Sequence, residues 1–161
     1  IADRTMTLMA PSKTFNLPGL GLSFAIIPNA KLRAAFKKTM VGIVPHPNLF
    51  GYTAALAAYQ HGQEWLDDLR QYLRVNRDRV FKAVGGMPRL HTTHVEATYL
   101  AWIDARELDT DNPFKFFEKA GVGLSDGKDF AGDGFVRLNF GCHRNLLETA
   151  LERMRQAVLK L

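Results

Sequence analysis

From Glu64 to Val84 the apolar side chains return at helical spacing: Trp65, Leu66, Leu69, Tyr72, Leu73, Val80, Phe81 and Val84 share one stripe with Asn76, and charged residues lie opposite. A helix of about twenty residues is about 30 Å long, enough to lead from one domain to another. Gly85-Gly86-Met87-Pro88 ends it, glycine first and proline after. The sequence on the two sides of this stretch has different patterns, so a fold for this chain must accommodate two units and one long helix.

Before the stretch, residues Thr5 to Met9 and Leu22 to Ile27 are short apolar runs bounded by Pro11, Gly19, Gly21 and Pro28, the punctuation of buried strands in an α/β sheet. Ala30 to Met40 carries Leu32, Ala35, Phe36 and Met40 at helical spacing, with Asn29 at the N-cap. Leu49 to His61 is rich in Ala, Leu and aromatic residues with little charge, which predicts a helix buried on most sides and stopped by Gly62. After the stretch, strands are predicted at Thr98 to Ile103, Gly121 to Leu124 and Phe135 to Phe140, and helices at Pro113 to Ala120 and Leu146 to Leu161. In the last helix Leu147, Ala150, Leu151, Met154, Ala157, Val158 and Leu161 share a face. This alternation reads as a small α/β sandwich with helices on one side of a sheet.

Nearly half of the 161 residues are apolar, enough for a real core. No apolar run approaches the eighteen or so residues of a membrane span, and the first residues lack a secretory pattern. The expected address is the cytoplasm, with no membrane partner. The chain opens on Ile1 and is in a strand pattern by Thr5, which reads as a piece of a longer protein. Its net charge of +5 comes from bases dispersed among acids, as in Arg70, Arg74, Arg77 and Arg79 against Glu64, Asp67, Asp68 and Asp78. That is a solvated helix face, and no nucleic-acid motif accompanies it. The single Cys142 makes neither an internal disulfide nor a zinc cluster, and reads as a small buried residue. His91 and His94 sit three apart in a strand or loop, which puts their rings on opposite faces, so no metal site is expected.

Two segments carry chemistry. Ser12-Lys13-Thr14-Phe15-Asn16-Leu17-Pro18-Gly19-Leu20 places a lysine in a short polar turn between the first two apolar runs. Asn16 and Gly19 suit a sharp turn, Pro18 stiffens it, and Phe15 and Leu17 can anchor it, so the amine has a fixed direction. Beside a packed sheet and partly shielded from water, such an amine can act as nucleophile or base. The same residues also fit an ordinary loop lysine in solvent, and local composition leaves both readings open.

The second segment is Phe135-Val136-Arg137-Leu138-Asn139-Phe140-Gly141-Cys142-His143. An arginine alternating with apolar residues on a strand turns its guanidinium to the face opposite Val136 and Leu138. Its planar fork can take a carboxylate by two parallel hydrogen bonds, or pair with a structural acid. Gly127 to Gly134 just before it is glycine-rich, but a strand follows where a phosphate loop needs a helix.

The lysine segment, extending into Gly21-Leu22-Ser23-Phe24-Ala25, resembles the cofactor-lysine segment of fold-type I pyridoxal phosphate enzymes of the class I/II aminotransferase family. The resemblance is strongest to the cystathionine β-lyase-like (MalY/PatB type) branch, and the Arg137 segment resembles that family's carboxylate-binding motif. It implies an α/β fold: the end of the large cofactor-binding domain at 1–62, a connecting helix at 63–86 and a small C-terminal α/β domain at 87–161. It further implies pyridoxal 5'-phosphate as cofactor, with Lys13 forming the covalent link and moving the Cα proton, Ser12 or Thr14 reaching the phosphate, and Arg137 binding the substrate α-carboxylate. The implied reaction is C–S β-elimination from an amino acid such as cystathionine, giving thiol, pyruvate and ammonia. Amino transfer to a keto acid is the alternative, and a noncatalytic regulatory or interaction fragment is a third reading. A homodimer is implied for the full-length protein. Classical members often carry a serine three residues before the lysine and an arginine eight after it; here those positions are Ala10 and Gly21. A proline commonly follows the cysteine, where this chain has His143. The acid that pairs with the pyridine nitrogen, the stacking aromatic ring and most phosphate ligands belong to the family's N-terminal half, which leaves the fragment alone inactive.

Overall fold

The computed structural model describes residues 1–161, which form two compact units, Ile1–Asp68 and Leu69–Leu161. In the first unit, strands β1 (Thr7–Met9) and β2 (Phe24–Ile26) pair antiparallel, with Thr7 opposite Ile26 and Met9 opposite Phe24. Between them run a single helical turn, α1 (Pro11–Thr14), and a 3-10 turn at Pro18–Leu20. Helix α2 (Ala30–Met40) begins where Asn29 accepts from the Lys31 and Leu32 amides, and α3 (Leu49–His61) begins where Asn48 accepts from Gly51. Both N-caps satisfy amides that a helix leaves without internal partners.

Two expectations for this unit fail. The strands are shorter than the apolar runs predicted, and every residue of β1 and β2 is exposed rather than buried. Helix α3 has the predicted bounds but buries only Gly51 and Ala55, while Leu49, Phe50, Tyr52, Leu56 and Tyr59 stand in solvent. The cause is common to both: beyond edge-on contacts of Phe24 and Phe15 with Tyr59, residues 1–68 place little over those faces, so apolar composition is not converted into burial.

Helix α4 (Gln63–Gly85) contains the boundary between the units. The second unit holds a four-stranded antiparallel sheet in the order β3 (His91–Thr92), β4 (Leu100–Asp104), β6 (Phe135–Asn139), β5 (Ser125–Asp126). Helix α5 (Pro113–Lys119) and helix α6 (Arg144–Val158) complete it. On β4 and β6 the buried residues alternate: Ala101, Ile103, Val136 and Leu138 turn inward, and the residues between them turn outward. The inward set packs with Val80 and Val84 of α4, Phe117 of α5 and Leu147, Leu151, Met154 and Val158 of α6. The short strand expected at 121–124 lies instead at Ser125–Asp126. Gly121 has φ of +76°, which breaks extension there, and the pairing with β6 is made by two polar residues, Ser125 opposite Arg137 and Asp126 opposite Val136.

One buried polar residue ties α4 to the end of β6. Asn76 is fully buried, and its amide donates to the Phe140 carbonyl at 3.0 Å and the Cys142 carbonyl at 3.1 Å. One turn earlier, the Tyr72 hydroxyl accepts from the Arg144 amide at 2.7 Å. Asn76→Leu keeps the volume but leaves both carbonyls without their donor, and costs about 2–4 kcal/mol. A urea-unfolding midpoint followed on the second unit checks this; an unchanged midpoint would remove Asn76 from the account of what holds β6.

Candidate active site

Lys13 sits on α1, which starts with Pro11 at its first turn, where a missing N–H costs nothing. The turn is closed by Phe15 donating to the Pro11 carbonyl and Leu17 to the Ser12 carbonyl, both at 2.9 Å. Asn16 takes φ of +54°, a left-handed conformation that asparagine tolerates, and Gly21 rather than Gly19 supplies the second left-handed position.

The segment is seated on α3 at two points. Near the start of α3, the Asn48 side chain donates to the Leu20 carbonyl at 3.1 Å, and a Cβ on Gly51 would stand 2.7 Å from that same oxygen. Near its end, Phe15 meets Tyr59 edge to face with ring centroids 5.5 Å apart and lies 6.4 Å from Trp65. A Cβ on Gly62 would come 2.9 Å from the Phe15 ring. Phe15 therefore anchors the turn as its apolar character predicts.

Lys13 itself is exposed and forms no hydrogen bond or ion pair, and the Ser12 and Thr14 hydroxyls are likewise uncommitted. The expected shielding of Lys13 by a packed sheet is thus not met within this chain, for the reason that leaves β1 and β2 uncovered. What remains is a free primary amine with two free hydroxyls beside it, all carried by one pinned turn. That donor set suits a ligand with an aldehyde and an anionic group.

Arg137 lies in the second unit, on the outward face of β6, half-buried and opposite Trp102 of β4. Its Nη2 donates to the Ser125 hydroxyl at 3.2 Å. Its guanidinium carbon is 4.0 Å from the Phe130 ring centroid. No carboxylate pairs with it, and its buried Nε has no partner at all. An unpaired buried donor is costly unless a ligand or water satisfies it. The other arginine near this face, Arg106, is committed: its guanidinium grips both oxygens of Asp104 at 2.9 and 2.7 Å and holds that carboxyl below the usual carboxylate range. Arg137 is therefore the arginine of this face with an open fork. Sequence reasoning found Arg137 but missed its neighbours. Strand alternation could have pointed to Trp102, whereas Ser125 and Phe130 lie where the register had been misplaced or a loop expected.

Cys142 is half-buried, and burial pushes its thiol pKa up, as suits a packing residue rather than a nucleophile. His91 faces Glu107 at 3.3 Å and His94 faces Asp78 at 3.9 Å, on separate surface pairs. No helix is long and apolar enough to cross a membrane.

The sequence model described as aminotransferase class I and II matches residues 2–154. Cystathionine β-lyase PatB of Bacillus subtilis is 34% identical over 167 residues, covering 98% of this chain and 42% of its own. The crystal structure of OvoB superposes with a TM-score of 0.95 at 51% identity, over 98% of this chain and 41% of that one. Cystalysin from Treponema denticola, whose crystal structure contains pyridoxal 5'-phosphate, superposes with a TM-score of 0.92 at 33% identity, over 99% of this chain and 42% of its own. The chain thus spans about two-fifths of the length of the relatives it matches. The architecture is that of fold-type I enzymes.

Proposed function

The chain belongs to the class I and II aminotransferase family, and from that premise we propose that the full-length protein is a pyridoxal phosphate-dependent C–S β-lyase acting on a sulfur-containing amino acid such as cystathionine or cysteine. The observation that carries this reading is the uncommitted Lys13 amine on a turn pinned to α3 through Phe15 and Leu20. Likeness to a cystathionine β-lyase over nearly the whole chain supports the reaction class.

In this reading the residues divide the work. Lys13 would hold the cofactor aldehyde through Nζ, and the same amine, when free, would be the base that takes the substrate Cα proton. The Ser12 and Thr14 hydroxyls are offered to the cofactor phosphate. Arg137 binds the α-carboxylate, and its partnerless Nε supports that assignment. When bound, pyridoxal phosphate supplies the electron sink that stabilises charge at Cα. Loss of the Cα proton and cleavage of the Cβ–S bond release the thiol, which takes up a proton, and leave aminoacrylate; its imine tautomer takes up one water to give pyruvate and ammonia.

The full-length enzyme is taken to be a cytoplasmic homodimer with a small-molecule substrate; the exposed apolar side chains of α3 offer surface for packing partners. Amino transfer would use the same lysine and arginine, so the reaction has to be assayed. Full-length enzyme incubated with L-cystathionine is expected to release pyruvate without any added keto acid. Amino transfer that requires a keto acid and yields no pyruvate would replace the lyase with an aminotransferase.

A further inference from the structure

The loop between β5 and β6 does more than connect them. Asp126 accepts from the Lys128 amide at 3.0 Å and opens a 3-10 turn at Gly127–Phe130, which Ala131 closes in a left-handed conformation with φ of +58°. The Gly132 amide donates back to the Gly127 carbonyl at 2.9 Å, and the Phe135 amide to the Gly132 carbonyl at 3.2 Å. There is no room for a side chain at either glycine: a Cβ on Gly127 would collide with the carbonyl oxygens of Gly132 and Phe135, and one on Gly132 with the Trp102 ring. The loop is therefore a tight, internally bonded plug against Trp102.

Its last helical residue is Phe130. The ring stands edge-on to Trp102, with centroids 6.3 Å apart at 89°, and Trp102 is in turn stacked on Phe135 at 5.4 Å and 12°. One face of Phe130 lies over the Arg137 guanidinium, yet the residue remains 47% exposed. An apolar ring left half in solvent at the end of a tightly built loop is not explained by burial alone. It is explained by what the ring covers.

We infer that Phe130 is a positioning residue: its ring, laid over one face of the Arg137 guanidinium and braced edge-on by Trp102, fixes the plane in which Arg137 presents its fork to a carboxylate. Ser125 fixes the same group from a second direction by accepting from Nη2. With one face stacked and one nitrogen held, the guanidinium loses its freedom to rotate before the ligand arrives, so less ordering is left for the binding step. A cation against an aromatic face adds attraction in the same geometry.

The inference rests on the assignment of Arg137 to the substrate carboxylate, and the test separates the two. In the full-length holoenzyme, Phe130→Ala is expected to raise KM for L-cystathionine about twofold to thirtyfold, the range spanned by a cation–aromatic contact, with kcat changed less than about twofold. Phe130→Tyr, which keeps the ring, is expected to restore KM. Competitive inhibition by L-alanine and by L-alaninamide gives the second readout: Phe130→Ala weakens L-alanine severalfold and leaves L-alaninamide unchanged. An unchanged KM in Phe130→Ala, or equal weakening of both inhibitors, overturns the role of Phe130. If Arg137→Ala also leaves the preference for L-alanine over its amide intact, the carboxylate assignment itself has failed; if Arg137→Ala abolishes that preference while Phe130→Ala does not alter it, only the positioning role has failed.

Discussion

Lys13→Ala in the full-length enzyme is expected to lower kcat for pyruvate release by about ten-thousandfold or more while the protein stays folded. A positioned general base contributes about a hundredfold to ten-thousandfold by itself, and this amine is assigned the covalent hold on the cofactor as well. Two roles on one nitrogen cannot be compensated by the Ser12 and Thr14 hydroxyls, which do not form that linkage. Folding should be spared, because Lys13 is exposed and without partners, while the contacts that seat the turn come from Phe15, Leu20, Asn48 and Gly62. Circular dichroism and the melting temperature check that half of the expectation. Activity within tenfold of wild type would remove Lys13 from the chemistry.

Arg137→Ala is the second large effect, and it acts on binding. Removing one partner of a hydrogen-bonded charge pair costs about 2–5 kcal/mol, so kcat/KM for L-cystathionine should fall about thirtyfold to five-thousandfold, mostly through KM. Arg137→Lys keeps the charge but loses the planar fork, the stacking on Phe130 and the bond to Ser125, and should recover only a small part of the loss. Stability should change little, since the guanidinium pairs with no acid and leaves its Nε unsatisfied. A kcat/KM within threefold of wild type for Arg137→Ala would contradict the carboxylate assignment.

The parts of this fold that were legible in the sequence are those decided within a few residues. Asn29 marks the start of α2 because a capping side chain reads the geometry of its own turn, and Gly62 marks the end of α3 for the same kind of reason, whereas the cap at Asn48 is seen only in the structure. The stripes of α4 and α6 foretold which of their residues enter the second core, Val80, Val84, Leu147, Leu151, Met154 and Val158 among them, since a sheet is present in that unit to receive them. The same logic misled for α3 and for the two strands beside Lys13. Their apolar residues describe contacts that residues 1–68 do not supply, and composition does not say whether the partner surface lies within the chain.

The site divides along the same line. Lys13 and Arg137 could be singled out because the segments that carry them resemble the family's lysine and arginine motifs, where local pattern alone leaves an ordinary loop lysine and a structural arginine equally open. Their surroundings could not. The brace of Phe130 and Trp102 depends on the β4–β6 register, which places Trp102 opposite Arg137, and on a loop whose shape is set by close backbone approach at Gly127 and Gly132. The bond from Arg137 to Ser125 depends on a two-residue strand of polar composition that no apolar pattern announces.

The claim on which the rest depends is that Lys13 is the residue that holds the cofactor, and one measurement addresses it without reference to turnover. Full-length enzyme loaded with pyridoxal phosphate, reduced with borohydride and digested, should yield the reduced cofactor on the peptide containing Lys13, at close to one equivalent per chain. Recovery of the label on another lysine, with the Lys13 peptide unmodified, would contradict the account.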